Sequence, residues 1–476
     1  MNSTILPVCS PDCYSYTILG DLRVEIIVEC NRYQIPINAL FSMAARRNTK
    51  RGFLFVSKVL GKHIPVHPLI PFIGGAALAA RFASMVYNEE MWEKNCDFAQ
   101  ALISPLVREQ TWEYISKHPL KLPQNTLFIG FAETATALGH SMFSCYAQNA
   151  QYIHTTRENI LGMDNVLNFL EEHSHATEHY CYAASPTLFA NEDMIVLVDD
   201  EITTGKSALN FIKAIQKKYP RKKYGLVSLL DWRSEAQKQS FADAEKELGI
   251  SIHTISLLSG NIIVSGEPVL GGLDPKQEVI SDSAKPVIEK ITLENDLESL
   301  LTFSSVNICG DINPVPYLHS TGRFGINSRE QLSLESRLQV IGRLLQQKRQ
   351  GKKTLCLGTG EFMYIPFKLA SYMGEGVSVQ STTRSPIHPA EHVGYAVRQA
   401  ITFSSPEDHS ISNYVYNIPI GYYDEVFIFL ERAVAEKDLQ SLINSFAPLN
   451  IPRICFVTCV TPCQSDSQGK GDDAND

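Results

Sequence analysis

An apolar, largely β-branched run, Ile195-Val196-Leu197-Val198, stops at two adjacent carboxylates, Asp199 and Asp200. After Glu201 and Ile202, the residues Thr203-Thr204-Gly205-Lys206-Ser207 open a helical pattern from Ala208 to Lys217. These residue types in this order suit a phosphorylated sugar. Ligands of open α/β sheets sit beyond the carboxyl ends of the strands. Backbone N–H groups and hydroxyls at a helix N-terminus cradle a phosphate. Gly205 lets the backbone come close to it. Two carboxylates accept from the two O–H donors of a vicinal diol. A nucleotide-triphosphatase P-loop is a poor fit: that motif needs a glycine five positions before Gly205, where Asp200 stands.

Upstream, Thr126-Leu127-Phe128-Ile129 leads into Gly130-Phe131-Ala132-Glu133-Thr134-Ala135-Thr136 and a helix continuing to Ala147. Small residues there can turn backbone amides toward an anion, and an ordinary βα turn has the same composition. Thr155-Thr156-Arg157-Glu158 follows, then a histidine-rich stretch from Phe169 to His179. His173, His175 and His179 can act as acids or bases, or belong to a solvated lid. No cysteine or carboxylate is spaced to complete a metal site with them. The basic stretch Arg46-Arg47-Asn48-Thr49-Lys50-Arg51, with Lys58 and Lys62, reads most simply as a solvated turn and strand. The alternative is part of a hood over an acceptor.

These residues need a scaffold. A chain of 476 residues predicts two or three domains at roughly 150 residues each. Hydrophobic residues are 44% and charged residues 20%, as in a soluble globular protein. The net charge of −9 disfavours a generic nucleic-acid binder. Residues 1–15 read as an irregular leader, and Tyr16 to Gln34 as two strands joined at Leu19-Gly20-Asp21. Helical patterning runs from Pro68 to His118. Its apolar start, Pro68 to Ala83, holds Pro71 and Arg81 and is too short to span a bilayer, so a buried helix is expected. Thr126 to Ile129, Met194 to Val198 and Tyr224 to Leu230 are short apolar runs with helices between them, the pattern of a doubly wound α/β sheet. Periodicity is weak from Asn261 to Lys290. A junction near residue 300 divides the chain into 16–299 and a second α/β domain, 300–463, before a polar, disordered tail at 464–476. The 11 cysteines lack paired CxxC spacing, which predicts reduced thiols in a cytoplasmic protein. Cys455 lies in an apolar run and reads as core, with Cys459 and Cys463 as bystanders rather than metal ligands.

The strand, acid pair and Thr203-Thr204-Gly205 loop resemble the PRPP signature of type I phosphoribosyltransferases. The resemblance implies a Rossmann-like fold in which Asp199 and Asp200 hold the ribose hydroxyls and Thr203, Thr204, Gly205, Lys206 and Ser207 hold the 5′-phosphate. It implies that Ala132, Glu133 and Thr134 form a pyrophosphate loop. Arg157 becomes the cation of a loop closing over the diphosphate, and is counted as catalytic with Asp199 and Asp200. Mg²⁺ is implied as cofactor, carried mainly by PRPP with no direct protein ligand. Glu201 departs from the apolar residue usual there. The reaction implied is transfer at ribose C1′, or its pyrophosphorolytic reverse, with an acceptor that no motif encodes. Some relatives sense PRPP or nucleotides without turnover, and that is the alternative. Dimers are common among relatives, so a homodimer is open here; neither a membrane nor nucleic acid is expected as a partner.

The second half echoes the first. Thr126 to Glu133 aligns with Thr354-Leu355-Cys356-Leu357-Gly358-Thr359-Gly360-Glu361, 228 positions on (130 to 358). Thr155-Thr156-Arg157 aligns with Thr382-Thr383-Arg384, 227 on (157 to 384), and Ile195 to Val198 with Val426 to Phe429, 231 on (195 to 426). A degenerate phosphoribosyltransferase-like repeat is expected, with Leu430-Glu431-Arg432-Ala433-Val434-Ala435-Glu436 where the acids and phosphate loop should be. Gly358, Thr359, Gly360, Glu361, Thr383, Arg384 and Ser385 form a candidate second site for another anion. Thr383-Arg384-Ser385-Pro386, with Thr321-Gly322-Arg323-Phe324-Gly325, is similar to the TRSP domain found C-terminal to a divergent phosphoribosyltransferase domain. That family is associated with bacterial tellurite-resistance and stress-response gene clusters. The resemblance implies partners from such a cluster and synthesis of a nucleoside-like compound.

Overall fold

The computed structural model describes residues 12–46, 51–164, 167–170, 178–270, 285–293, 300–307 and 309–461. Its first sheet has a parallel core of β1 (Thr126–Gly130), β2 (Ala150–His154), β3 (Met194–Ile202) and β4 (Lys223–Asp231). Strand Ser251–Ser265 lies beyond β4, and the order across the sheet is Ser251–Ser265, β4, β3, β1, β2. Arg23–Asn31 and Cys13–Thr17 extend one edge in antiparallel pairing. Every residue of β1 is buried, as a strand covered on both faces requires.

Three helices of this half bear on the site: α1 (Leu69–Tyr87), α2 (Ala135–Phe143) and α3 (Lys206–Lys218). Helix α1 runs past Ala83 to Tyr87. By length and composition it could cross a membrane, but 72% of its apolar window is buried inside the fold. Pro71 sits in its first turn, where a missing N–H costs no helical bond. Gly75 lets α1 approach α2: a Cβ there would lie 2.5 Å from Cβ of Ser141. The buried-helix expectation holds.

The second sheet contains β5 (Thr354–Gly358), β6 (Val377–Ser381), β7 (Glu425–Arg432) and β8 (Arg453–Val460), with Val287–Thr292 added beside β8. All its pairings are parallel. Its order β6-β5-β7-β8 repeats the order β2-β1-β3-β4. The registers agree too. Met194 faces Thr126 as Glu425 faces Thr354, and Ile195 faces Tyr224 as Val426 faces Ile454.

The halves are not side by side as independent bodies. Strand Val287–Thr292 joins the second sheet, and Ile326–Asn327 joins the first through β2. One apolar cluster mixes Phe72 and Ala137 with Tyr364 and Phe367. His140 stacks on Tyr364, ring centroids 3.6 Å apart and ring planes nearly parallel.

Local expectations shift in places. The leader expected over 1–15 already contains strand from Cys13, and strand structure continues through Asn261–Ser265 where periodicity looked weak. Cys459 is buried in β8 beside Cys455, so it is a core residue and not a bystander. Residues 1–11, Arg47 to Lys50, His173, His175, Cys463 and the tail 464–476 lie outside the described residues. Among the described residues no group of histidine, cysteine and carboxylate side chains is placed to hold a metal, and the nine cysteines are free.

Candidate active site

Strand β3 buries Met194 through Val198 and then delivers Asp199, Asp200 and Glu201 half-buried at its carboxyl end. The Asp200 amide donates to Asp199 Oδ1 at 2.9 Å, which fixes the first acid against its own backbone. The turn into α3 pivots on Gly205 at φ +73°. A side chain there would meet a wall as well as strain, since a Cβ would lie 2.7 Å from the Phe241 ring and 3.1 Å from Cδ of Arg233. That wall is firm. The Arg233 guanidinium lies over the Phe241 ring at 4.5 Å and grips Asp231 through bonds of 2.8 and 3.0 Å.

A cavity of about 450 Å³ opens over this turn, a size ordinary for a small-molecule site. Asp199, Asp200 and Thr203 through Ser207 form one wall. Ala132, Glu133, Thr134 and Arg157 form another. Strand Phe53–Ser57, paired antiparallel with Phe41–Ala45, supplies the roof through Leu54, Phe55 and Ser57, with Lys62 and His63 after it. All residues assigned by resemblance to PRPP therefore face one cavity.

The wall from β1 is held by β2. The Ala132 amide donates to Thr155 Oγ1 at 2.8 Å, the Thr155 amide to the Gly130 carbonyl at 2.9 Å, and the Ala132–Glu133 peptide is cis. Glu133 is only 6% exposed. Its Oε2 accepts from Arg157 Nη1 at 3.2 Å, and Lys62 stands 3.6 Å from Oε1, which has no hydrogen-bond partner among the described residues. Burial pushes this carboxyl upward, but Lys62, Arg157 and Arg384 outweigh it and hold the group below its usual range, as a carboxylate. Lys62 Nζ also donates to Thr134 Oγ1. His63, buried beside it, is driven well below the usual imidazole range by burial and then by Lys62 and Arg46. It is a neutral ring whose Nε2 has no hydrogen-bond partner among the described residues. His179 also lines the cavity, with Nδ1 3.4 Å from Thr155 Oγ1.

The basic stretch is not a bystander. Arg46, Arg51 and Lys62 all line the cavity, which corrects the reading of a merely solvated turn; Lys58 does not, and donates to the Asn38 carbonyl in solvent. Arg51 Nη2 bonds Glu201 Oε1 at 2.6 Å and lies over Phe53 at 4.4 Å. Glu201, the departure from the usual apolar residue, fastens the roof to the end of β3 beside the Thr203–Ser207 turn.

The candidate second-domain residues scatter. Arg384 and Ser385 reach the same cavity as Asp199, together with Pro386, Ile411 and Ser412. Glu361 instead accepts from Thr156 Oγ1 at 2.6 Å and from the Arg157 amide at 2.9 Å. Thr359 bonds the Phe429 carbonyl, the Gly360 amide bonds Thr382 Oγ1, Gly358 accepts from the Thr382 amide, and Thr383 is fully buried. Sequence reasoning missed this sharing between halves and the roles of Leu54, Phe55 and His63, because nothing in their spacing announces a contact made hundreds of residues away.

Residues 40–261 match the model of a phosphoribosyl transferase family, and residues 320–446 match the TRSP domain, described as C-terminal to that transferase domain. No curated protein matches the chain. Among solved structures, adenine phosphoribosyl transferase from Trypanosoma brucei, in complex with AMP, pyrophosphate and ribose-5-phosphate, aligns at 15% identity and TM-score 0.24, covering 36% of this chain and 73% of that one. The adenine phosphoribosyltransferase of Leishmania tarentolae aligns at 15% identity and TM-score 0.22, covering 34% and 74%. A hypoxanthine phosphoribosyltransferase from Staphylococcus aureus aligns at 11% identity and TM-score 0.16, covering 26% and 60%.

Proposed function

On the premise that this chain joins a phosphoribosyl transferase family domain to the TRSP domain that follows it, we propose that it is a PRPP-dependent transferase. It makes or breaks the bond at ribose C1′. The observation that carries the reading is the single cavity shared by the acid pair Asp199-Asp200, the Thr203–Ser207 turn and the Ala132–Thr134 turn with Arg157. The two turns offer anion sites on either side of a diol-binding pair, the layout that a sugar carrying a 5′-phosphate and a 1′-diphosphate needs.

Each group then has a task. Asp199 and Asp200 accept from the 2′ and 3′ hydroxyls and place negative charge beneath C1′, where positive charge develops as the diphosphate leaves. The amides and hydroxyls of Thr203 to Ser207 hold the 5′-phosphate at the start of α3. Arg157 and Lys62 face the departing diphosphate, and Glu133 keeps both cations in place. Mg²⁺ fits this site as a passenger on PRPP, since this ion keeps its waters and takes phosphate oxygens readily. When bound, it neutralises charge on the leaving diphosphate. The neutral His63 ring, with Arg46, Arg51, Leu54 and Phe55, lies where an acceptor has to enter.

Synthesis of a nucleoside-like compound in a stress response rests on the TRSP resemblance, and a cytoplasmic setting on the absence of paired CxxC spacing among the 11 cysteines. Pyrophosphate release from PRPP, measured across a panel of purine, pyrimidine and other nitrogen acceptors, tests the reading. Release by the wild type supports it. PRPP binding with no release across the panel favours a sensing protein.

A further inference from the structure

The two halves agree beyond strand order. Equivalent hydrogen bonds recur at equivalent turns. The Ala132 amide donates to Thr155 Oγ1 at 2.8 Å, and the Gly360 amide donates to Thr382 Oγ1 at 2.9 Å. Thr156 pairs its backbone with Tyr180 as Thr383 does with Tyr414. The contacts between halves are reciprocal, the mark of an isologous interface. Glu361, from the second half, binds the amide of Arg157 at 2.9 Å; Glu133, its equivalent in the first, accepts from the amide of Arg384 at 3.5 Å. The equivalent helices α2 and Tyr364–Ser371 face each other across this axis, with His140 on Tyr364.

Around a two-fold axis, two sites should exist. A second cavity does stand where symmetry places it, lined by Arg432, Ala433, Val434 and Ala435. Its chemistry is lost. Leu430 and Glu431 replace the acid pair, and Glu431 is taken by Arg323 at 2.8 and 3.0 Å. Ala433-Val434-Ala435 has no hydroxyls, and Glu436 stands in place of Gly205. Arg157 and Arg384 line both cavities, so each reaches across the axis into the other half's pocket.

We propose that the second half is a copy of the first, docked on it as an in-chain counterpart of a homodimer, and that Arg384 completes the surviving site by binding the diphosphate end of PRPP from across the axis. The Thr-Arg-Ser-Pro motif then belongs to the transferase site of the first half. The inference rests on the transferase reading of that cavity. Arg384 works at the diphosphate end because its amide meets Glu133 in the Ala132–Thr134 turn, and its charge acts on that carboxylate together with Lys62 and Arg157.

The test is calorimetric titration of the full chain with Mg-PRPP, Mg-pyrophosphate and ribose 5-phosphate, in wild type, Arg384→Ala, Arg384→Gln and Asp199→Asn/Asp200→Asn. Removing one charged donor should weaken PRPP and pyrophosphate by about 10- to 100-fold in both Arg384 variants while ribose 5-phosphate stays within about twofold. Pyrophosphate affinity within about twofold of wild type in a folded Arg384 variant overturns the inference. So does an equal loss of ribose 5-phosphate, which signals general damage. If the double Asn variant still loses PRPP, the transferase reading survives that failure. A wild type that binds none of the three ligands overturns both.

Discussion

Replacing Gly205 with alanine separates the phosphate turn from ordinary glycine strain. Gly205 has φ +73° and Gly249 has φ +63°, so both carry a similar backbone penalty on substitution, about 1–2 kcal/mol. They differ in surroundings. Nothing lies within 4 Å of a Cβ at Gly249, whereas at Gly205 the new methyl meets the Phe241 ring at 2.7 Å, against the 3.4 Å at which ordinary contact begins. Phe241 cannot yield cheaply, being 5% exposed and capped by an Arg233 that Asp231 grips. The turn must therefore move by several tenths of an ångström. Phosphate bonds near 2.9 Å do not survive such a shift intact. Loss of one charged hydrogen bond costs about 1.5–3 kcal/mol, or roughly 10- to 150-fold in Kd. Gly205→Ala should weaken ribose 5-phosphate and PRPP binding by that factor. Gly249→Ala should lower thermal stability similarly and leave binding unchanged. Calorimetry and a thermal melt on each variant decide it. Ribose 5-phosphate affinity within about threefold of wild type in Gly205→Ala would show that the turn does not hold the phosphate.

Two further outcomes are expected from contacts in and around the site. The Arg51–Glu201 pair has side chains only 20% and 12% exposed, so Arg51→Ala, Glu201→Gln and the double variant should show a coupling of about 1 kcal/mol in denaturant unfolding; additive effects would mean the roof is not fastened there. His63, His140 and His154 are held neutral, mainly by burial, with His140 and His154 brought down to about 3. The unfolded chain takes up protons near pH 6.5 and the folded chain does not, so stability is full above that pH and falls as pH drops toward 3. Each ring contributes about 1.4 kcal/mol per pH unit over that window. Denaturation midpoints at pH 7.5 and 5.5 should differ accordingly, with a smaller difference in His140→Gln; a flat profile would contradict the burial of these rings.

Much of the site is legible along the chain because its parts are local. The apolar strand, two acids and Thr203-Thr204-Gly205 turn are contiguous, and β-strand, turn and helix follow from period and glycine placement alone. The near-constant offsets of 227 to 231 positions likewise anticipate the shared strand order of the two sheets. What the sequence hides is long-range. Glu201 looks like a blemish in a familiar motif until Arg51 appears 2.6 Å away, 150 residues earlier in the chain. Arg384 looks like part of a second site alone until the docking of the halves brings it also to the cavity that Asp199 lines. The apolar composition of the helix Leu69–Tyr87 reveals that it is buried but not which neighbours cover it, and the packing of Gly75 on α2 supplies one of them.

The most direct measurement is titration of Mg-PRPP into the wild type and into Asp199→Asn/Asp200→Asn. The account predicts saturable one-to-one binding to the wild type and loss of that binding in the variant, whose fold should be unchanged because both acids stand half-buried at the rim of the cavity. No binding to the wild type, or equal binding to both proteins, would contradict it.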